Sequence, residues 1–223
     1  MKLHLALAIV LAAPISLAPQ QPGPTRLAGR VPPAALPAID SIIATAVAES
    51  LPTEPLIQKA LEGSAKNIPP DRLVSGVRRG LLQLRAAHVI VAEAVPGQPV
   101  PDGHVVAVAA ALARGVPAPL AERLIADAPN EPPGPALHAA ADLIAHHFDP
   151  DSAVDLLIEA HSKGLRGMRL LDVAVAADHE LQRRGGRTPS EALAHVRAML
   201  PNVPPAGSGS TGAAVTRHGT NGS

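Results

Sequence analysis

HHFDPDSAVDLLI, residues 146–158, ends one helix, turns through Phe148-Asp149-Pro150 and starts another. Asp149 before Pro150 is a helix-start signal, a side-chain acceptor followed by the imino acid favoured at the first helical position. Three other stretches carry the same pattern: AKNIPPDRLVSGV from Ala65, ARGVPAPLAERLI from Ala113 and RGGRTPSEALAHV from Arg184. Setting Ile68, Val116, Phe148 and Arg187 as equivalent, the fifth position after each is Leu73, Ala121, Ala153 and Ala192, and the ninth is Val77, Ile125, Leu157 and Val196. Such recurrence is a degenerate repeat of helical hairpins. Arg187 in place of an apolar residue suits a terminal unit with a polar outer face. The spacing is irregular, about 32 to 48 residues, which predicts a compact bundle or short irregular α-solenoid.

Helical spacing extends beyond these turns. Ile39, Ile42, Ile43 and Val47, then Leu73, Val77, Leu81 and Leu84, then Leu156, Leu157 and Ala160, then Leu170, Leu171, Val173 and Val175 fall on helical stripes, and strand-like alternation is nowhere sustained. Thr53 before Glu54-Pro55 marks a further start, and Thr188-Pro189-Ser190-Glu191 has the form of a capping box. The expected fold is all-α, built of stacked helical hairpins over residues 36–200.

The ends read differently. Residues 1–18, MKLHLALAIVLAAPISLA, have Lys2 as a basic start, an apolar stretch from Leu3 to Ala13, and Ser16 and Ala18 at cleavage-like spacing, the form of an export signal. Pro14 interrupts a run already too short to span hydrocarbon, and Pro19 leaves the cleavage point open. Residues 19–35 read as a Pro/Gly-rich extended linker, and residues 201–223 as a disordered Gly/Ser-rich tail. Gly207 to Gly212 formally matches a dinucleotide fingerprint, but no strand precedes it and no helix follows, so no cofactor is expected.

Composition excludes several functions. Lysine plus arginine number 19 and aspartate plus glutamate 19, with no dense run of one sign, so neither nucleic acid nor an anionic membrane is an expected partner; the signal segment alone would touch a membrane. Phe148 is the sole aromatic side chain, which removes base-stacking platforms and aromatic-lined sugar clefts. The chain has no cysteine, so packing alone must hold the fold.

Leu51 to Leu84, LPTEPLIQKALEGSAKNIPPDRLVSGVRRGLLQL, resembles a segment of exported bacterial proteins of unknown function, in which an LPxEPLxxKxLEGxAK helix precedes a helix started by Pro-Pro. The resemblance implies a helical fold and a periplasmic or secreted location. It brings no activity.

Candidate chemistry centres on His138, Asp142, His146, His147, Asp149 and Asp151. His138, Asp142 and His146 share one helix face and are acceptable zinc ligands by type. The outer members are about 12 Å apart along the axis, whereas ligands must converge to about 2 Å from the metal, so His161 or His179 would have to complete a site. His179-Glu180 begins like a zincin helix, but Arg183 stands one turn on instead of histidine. Asp178, Glu180, Arg183 and Arg184 are then expected as solvent-facing pairs. Ser50, Ser64, Ser75, Ser152, Ser162 and Ser190 lie in no nucleophile elbow. Glu54, Lys59, Glu62 and Lys66 form a charged stripe that would matter if it bordered a groove. No catalytic, cofactor or metal residue is assigned. The expected function is a non-enzymatic interaction or structural module of the bacterial envelope whose partner is another envelope protein. The rival is a metal-dependent enzyme or metal carrier using His138 to Asp151.

Overall fold

A computed structural model describes residues 24–183 and 186–202. Residues 1–18, whose sequence has the form of an export signal, and the tail beyond Asn202 lie outside these. The described chain is helical and, among these residues, contains no strand. After a short α1, Pro24–Leu27, come α2 Leu36–Ala48, α3 Glu54–Ala65 and α4 Pro70–Ala94, then α5 Asp102–Ala113 and α6 Ala118–Asp127. The chain continues through α7 Gly134–Ala145, α8 Pro150–Ser162, α9 Arg169–Gln182 and α10 Pro189–Met199, and closes on a 3₁₀ turn. No described helix is long and apolar enough to cross a membrane.

The turns explain why the hairpins form. Phe148 donates its backbone N–H to the carbonyl of Leu143 at 3.1 Å, and His147 donates to Ile144 at 3.0 Å, with His147 in the left-handed region at φ 63°. This is a Schellman stop, which satisfies two orphan carbonyls and reverses the chain. The same pair of bonds recurs with Ser50-Leu51, Asn67-Ile68, Gly115-Val116 and Gly164-Leu165. In four of the five the residue after the left-handed position is buried; Ile68 is 37% exposed. Starts are secured differently. Asp149 accepts the N–H of Ser152 at 2.9 Å, and the Thr188–Glu191 capping box is complete. Thr53 stands at its expected cap position but makes no side-chain cap.

The hairpins stack in two rows. α5, α7 and α9 lie side by side in one, α4, α6, α8 and α10 in the other, and α2 and α3 pack on α4. Ion pairs tie neighbours within a row: Arg114 Nη2 lies 2.5 Å from Asp142 Oδ1, Arg123 Nη2 2.6 Å from Asp155 Oδ1, and Arg197 Nε 2.8 Å from Glu159 Oε2. The interior is Leu, Ile, Val and Ala, joined by Phe148. Leu73, Ala121, Ala153 and Ala192, and Val77, Ile125, Leu157 and Val196, are all buried.

Two expectations need correction. Residues 24–35 are not an extended linker: Leu27, Val31 and Ala35 are buried, Arg26 pairs with Glu54 at 2.5 Å, and Ser64 Oγ donates to the Arg30 carbonyl at 2.6 Å. The Pro/Gly content concealed three aliphatic residues, enough to seal the end of the core beside α2 and α3. Val47 and Val175 share the apolar spacing of their helices but are 64% and 67% exposed, because no neighbouring helix covers those edges.

Candidate functional site

α5 is apolar on every side from Val105 to Ala113. A helix of that kind belongs in an interior. Here Val105, Val108, Ala109 and Ala111 are buried, whereas Val106, Ala110 and Ala113 face out. Their side chains are small, so the surface above them is a depression. A groove of about 560 Å³ runs over Ala107, Ala110 and Ala111 between α5 and α7, walled by Gly134, Pro135 and Leu137 on one side and Met168 and Leu171 on another. Met168 is 68% exposed at its rim. A second hollow of about 260 Å³ shares Ala110 and opens toward α3 and α4, bordered by Lys59, Glu62 and Gln83. Of the charged stripe of α3, Lys59 and Glu62 border this second hollow and Glu54 and Lys66 do not. The volume and apolar lining of the larger depression are those of a ligand-binding cleft.

One end of the groove is polar. Arg114 and His138 line it and share Asp142, with Arg114 Nη2 at 2.5 Å and His138 Nε2 at 3.4 Å from the two carboxylate oxygens. Arg114 uses one of its nitrogens in that pair; a guanidinium has further donors to offer.

The rest of the sequence-derived cluster is dispersed. His146 turns to α9, with Nδ1 2.5 Å from Asp178 Oδ1. His147 is the left-handed residue of its turn. Asp149 accepts from both the hydroxyl and the N–H of Ser152, and these bonds hold its carboxyl below the usual carboxylate range. Asp151 stands 3.7 Å from Arg123. His161 sits elsewhere, with Nδ1 2.7 Å from Asp127 Oδ2 and Nε2 3.4 Å from Glu131 Oε1, the latter also bound by Arg166. Among the described residues no three His, Asp or Glu side chains converge in a way that could hold a metal ion. His179 is exposed and is not brought to His138 or Asp142.

Ser152, Ser162 and Ser190 serve local structure. Ser152 Oγ donates to Asp149 at 2.6 Å, Ser162 Oγ to the Glu159 carbonyl at 2.7 Å, and Ser190 Oγ lies 3.2 Å from Thr188 Oγ1. The expectation that Glu180 faces solvent is wrong. It is 4% exposed, with Arg183 Nη1 at 3.0 Å, Arg187 in contact and His195 Nε2 at 3.8 Å. The α9–α10 turn folds two arginines over it, which helix spacing alone does not reveal.

Sequence reasoning missed the groove. The available signal was the uninterrupted apolar run Val105-Val106-Ala107-Val108-Ala109-Ala110-Ala111-Leu112-Ala113, too long and too uniform for a half-covered helix. The molecule thus belongs to the all-helical class, with an apolar groove cut across one row of its helices. No known protein family, no curated protein and no solved structure matches the chain.

Proposed function

We propose that this chain is an exported interaction module of a bacterial envelope, assembled from degenerate helical hairpins, that holds an aliphatic segment of a partner protein in the groove over α5. The observation that carries this reading is the uncovered strip of an apolar helix: Ala107 and Ala110 open into the groove beside an exposed Met168, while Val106 and Ala113 open onto the neighbouring hollow. Contiguous exposed apolar surface bounded by polar groups marks interaction sites. Of the titratable side chains that suggested metal chemistry, Asp142, His146 and His161 pair with neighbouring helices and Asp149 caps its own, so the reading assigns these to the scaffold. Arg114 at the groove's polar end supplies spare donors for a partner's carbonyl or carboxylate. Export rests on the form of residues 1–18.

A photo-crosslinking residue placed at Ala110 or Met168, in protein expressed in an envelope-forming host, tests it. The expected result is one saturable adduct at both positions, absent when the probe is at exposed Lys163 and lost in Ala107→Asp. Adducts equal at all three positions overturn the groove as the binding site. Purified protein that hydrolyses a peptide, ester or phosphate library, with the activity abolished by one side-chain change, overturns the non-enzymatic reading.

A further inference from the structure

α4 is the longest helix, with 25 residues, and one of its faces is bare. Arg72, Ser75, Arg79, Leu82, Ala86, Val89 and Glu93 are all exposed, and they follow one another at alternating steps of three and four. That is the spacing of a two-helix seam, with its apolar part confined to Leu82, Ala86 and Val89 and charged or polar residues on either side. Leu82 and Val89 in its centre are 56% and 53% exposed.

The charges on this face are unmet. Arg72, Arg78, Arg79 and Glu93 make no ion pair among the described residues, although Arg85 on the same helix is bound through two nitrogens to Glu49, each at 2.6 Å. The uncompensated charges also have an order. Arg72 and Arg79 stand toward the N-terminal end of the seam, Glu93 at its C-terminal end and the apolar residues between, while Asp71, exposed beside Arg72 and also without an ion pair among the described residues, lies off the seam.

We propose that α4 docks against α4 of a second copy of this chain, antiparallel, about a two-fold axis near Ala86. Arg79 and Glu93 each lie seven residues from Ala86, so an antiparallel pairing brings Arg79, with Arg78 beside it, level with Glu93 of the second copy, twice over. Leu82 and Val89 lie four and three residues from Ala86 and close the apolar centre. Ala86 at the axis lets the helices approach. A parallel pairing would set each arginine beside its own image and leave Glu93 facing Glu93. The surface is self-complementary in one direction only, as an isologous interface requires. A bilayer is disfavoured as occupant because Glu93 sits in the seam and no aromatic anchor accompanies the two aliphatic residues. The face lies on α4, apart from the α5–α7–α9 groove, and both can be occupied together.

The absence of cysteine makes the test clean. Ala86→Cys is expected to give a disulfide-linked dimer under mild oxidation, and Arg72→Cys is not, because antiparallel pairing separates the two copies of residue 72 by about 40 Å along the axis. Sedimentation equilibrium of the purified protein should show a reversible dimer. Leu82→Asp should make it monomeric with an unchanged circular dichroism spectrum, which shows that the fold survives. Glu93→Arg alone, or Arg78→Glu with Arg79→Glu, should weaken association by about tenfold. The three changes together should restore it. A protein still monomeric at about 1 mM overturns the proposal. So does crosslinking at 72 as efficient as at 86, a triple variant no tighter than either parent, or association with anionic lipid vesicles in place of self-association.

Discussion

A β-carbon built on Gly63 would stand 2.4 Å from Leu73 Cδ1 and 3.8 Å from its Cγ. α3 and α4 therefore cross at a point where only glycine fits over the leucine. Leu73 is 3% exposed and cannot swing away without displacing the core. Gly63→Ala is expected to destabilise the protein by about 1–3 kcal/mol through overpacking, despite the better helix propensity of alanine. Gly76→Ala is the matched control. Its β-carbon would meet only Lys59 Cε, at 3.9 Å, so it should raise stability by up to about 1 kcal/mol. Thermal melts of the two variants should move in opposite directions.

His147 belonged to the sequence's one candidate metal cluster, and the structure gives it a backbone task. At φ 63° it occupies a region that costs an L-residue roughly 1–2 kcal/mol. His147→Gly should therefore stabilise the fold, by about 1 kcal/mol, with the urea midpoint rising and the slope unchanged. Gly115→Ala, at φ 95° in the corresponding turn, should do the reverse. If His147→Gly instead lowers the midpoint, the imidazole has a role that its backbone conformation does not explain.

These turns show how far the sequence could be read. Ile68, Val116 and Phe148 were legible as hairpin markers because a proline or Asp-Pro follows each. The equivalent stop at Leu165 carries no such mark, because it continues as Arg166-Gly167 without proline, whereas Leu51 does carry it in Pro52. The apolar stripes located the core, but a stripe does not say how much of it a neighbour covers, and Val47, Val175 and the outer side of α5 went wrong or unseen for that reason. Spacing along one helix also suggested a metal site from His138, Asp142 and His146. What decides ligation is the direction of each ring, and His146 turns to α9.

Glu180 is the sole charged residue classed as fully buried among the described residues. Arg183 and Arg187 reach the buried carboxylate from side chains 57% and 37% exposed, so its removal loses charge-assisted hydrogen bonds worth about 1.5–3 kcal/mol while the cations turn to solvent. Glu180→Ala should show that loss in chemical denaturation, and Glu180→Gln most of it. Glu54→Gln, which removes the exposed partner of Arg26, should barely move the midpoint, because exposed pairs contribute little. Equal effects of the two substitutions would mean that Glu180 is hydrated in solution.

Acid should lower the stability of the protein over two pH intervals. His104, at the third position of α5, carries a buried Nδ1 with no hydrogen-bond partner, and burial holds its pKa below the ordinary 6.5. The unfolded imidazole takes up its proton near 6.5 while the folded one resists, so between that value and its lower folded pKa the unfolded state binds more protons. Stability must fall as pH drops through this interval. The second interval involves carboxylates held below their usual range by the groups they bind: Glu49 by Arg85, Asp149 by Ser152, and Glu191 by the N–H and hydroxyl of Thr188. Their contribution is complete above the ordinary values, 4.5 for glutamate and 3.8 for aspartate, and is lost as pH falls through the lower folded ones. His104→Leu should remove the first loss and leave the second. Denaturation midpoints measured from neutral pH downward, for wild type and variant, should diverge as pH falls below 6.5 and run parallel again below the lowered pKa of folded His104. Parallel curves throughout would show that His104 is solvated in the folded protein.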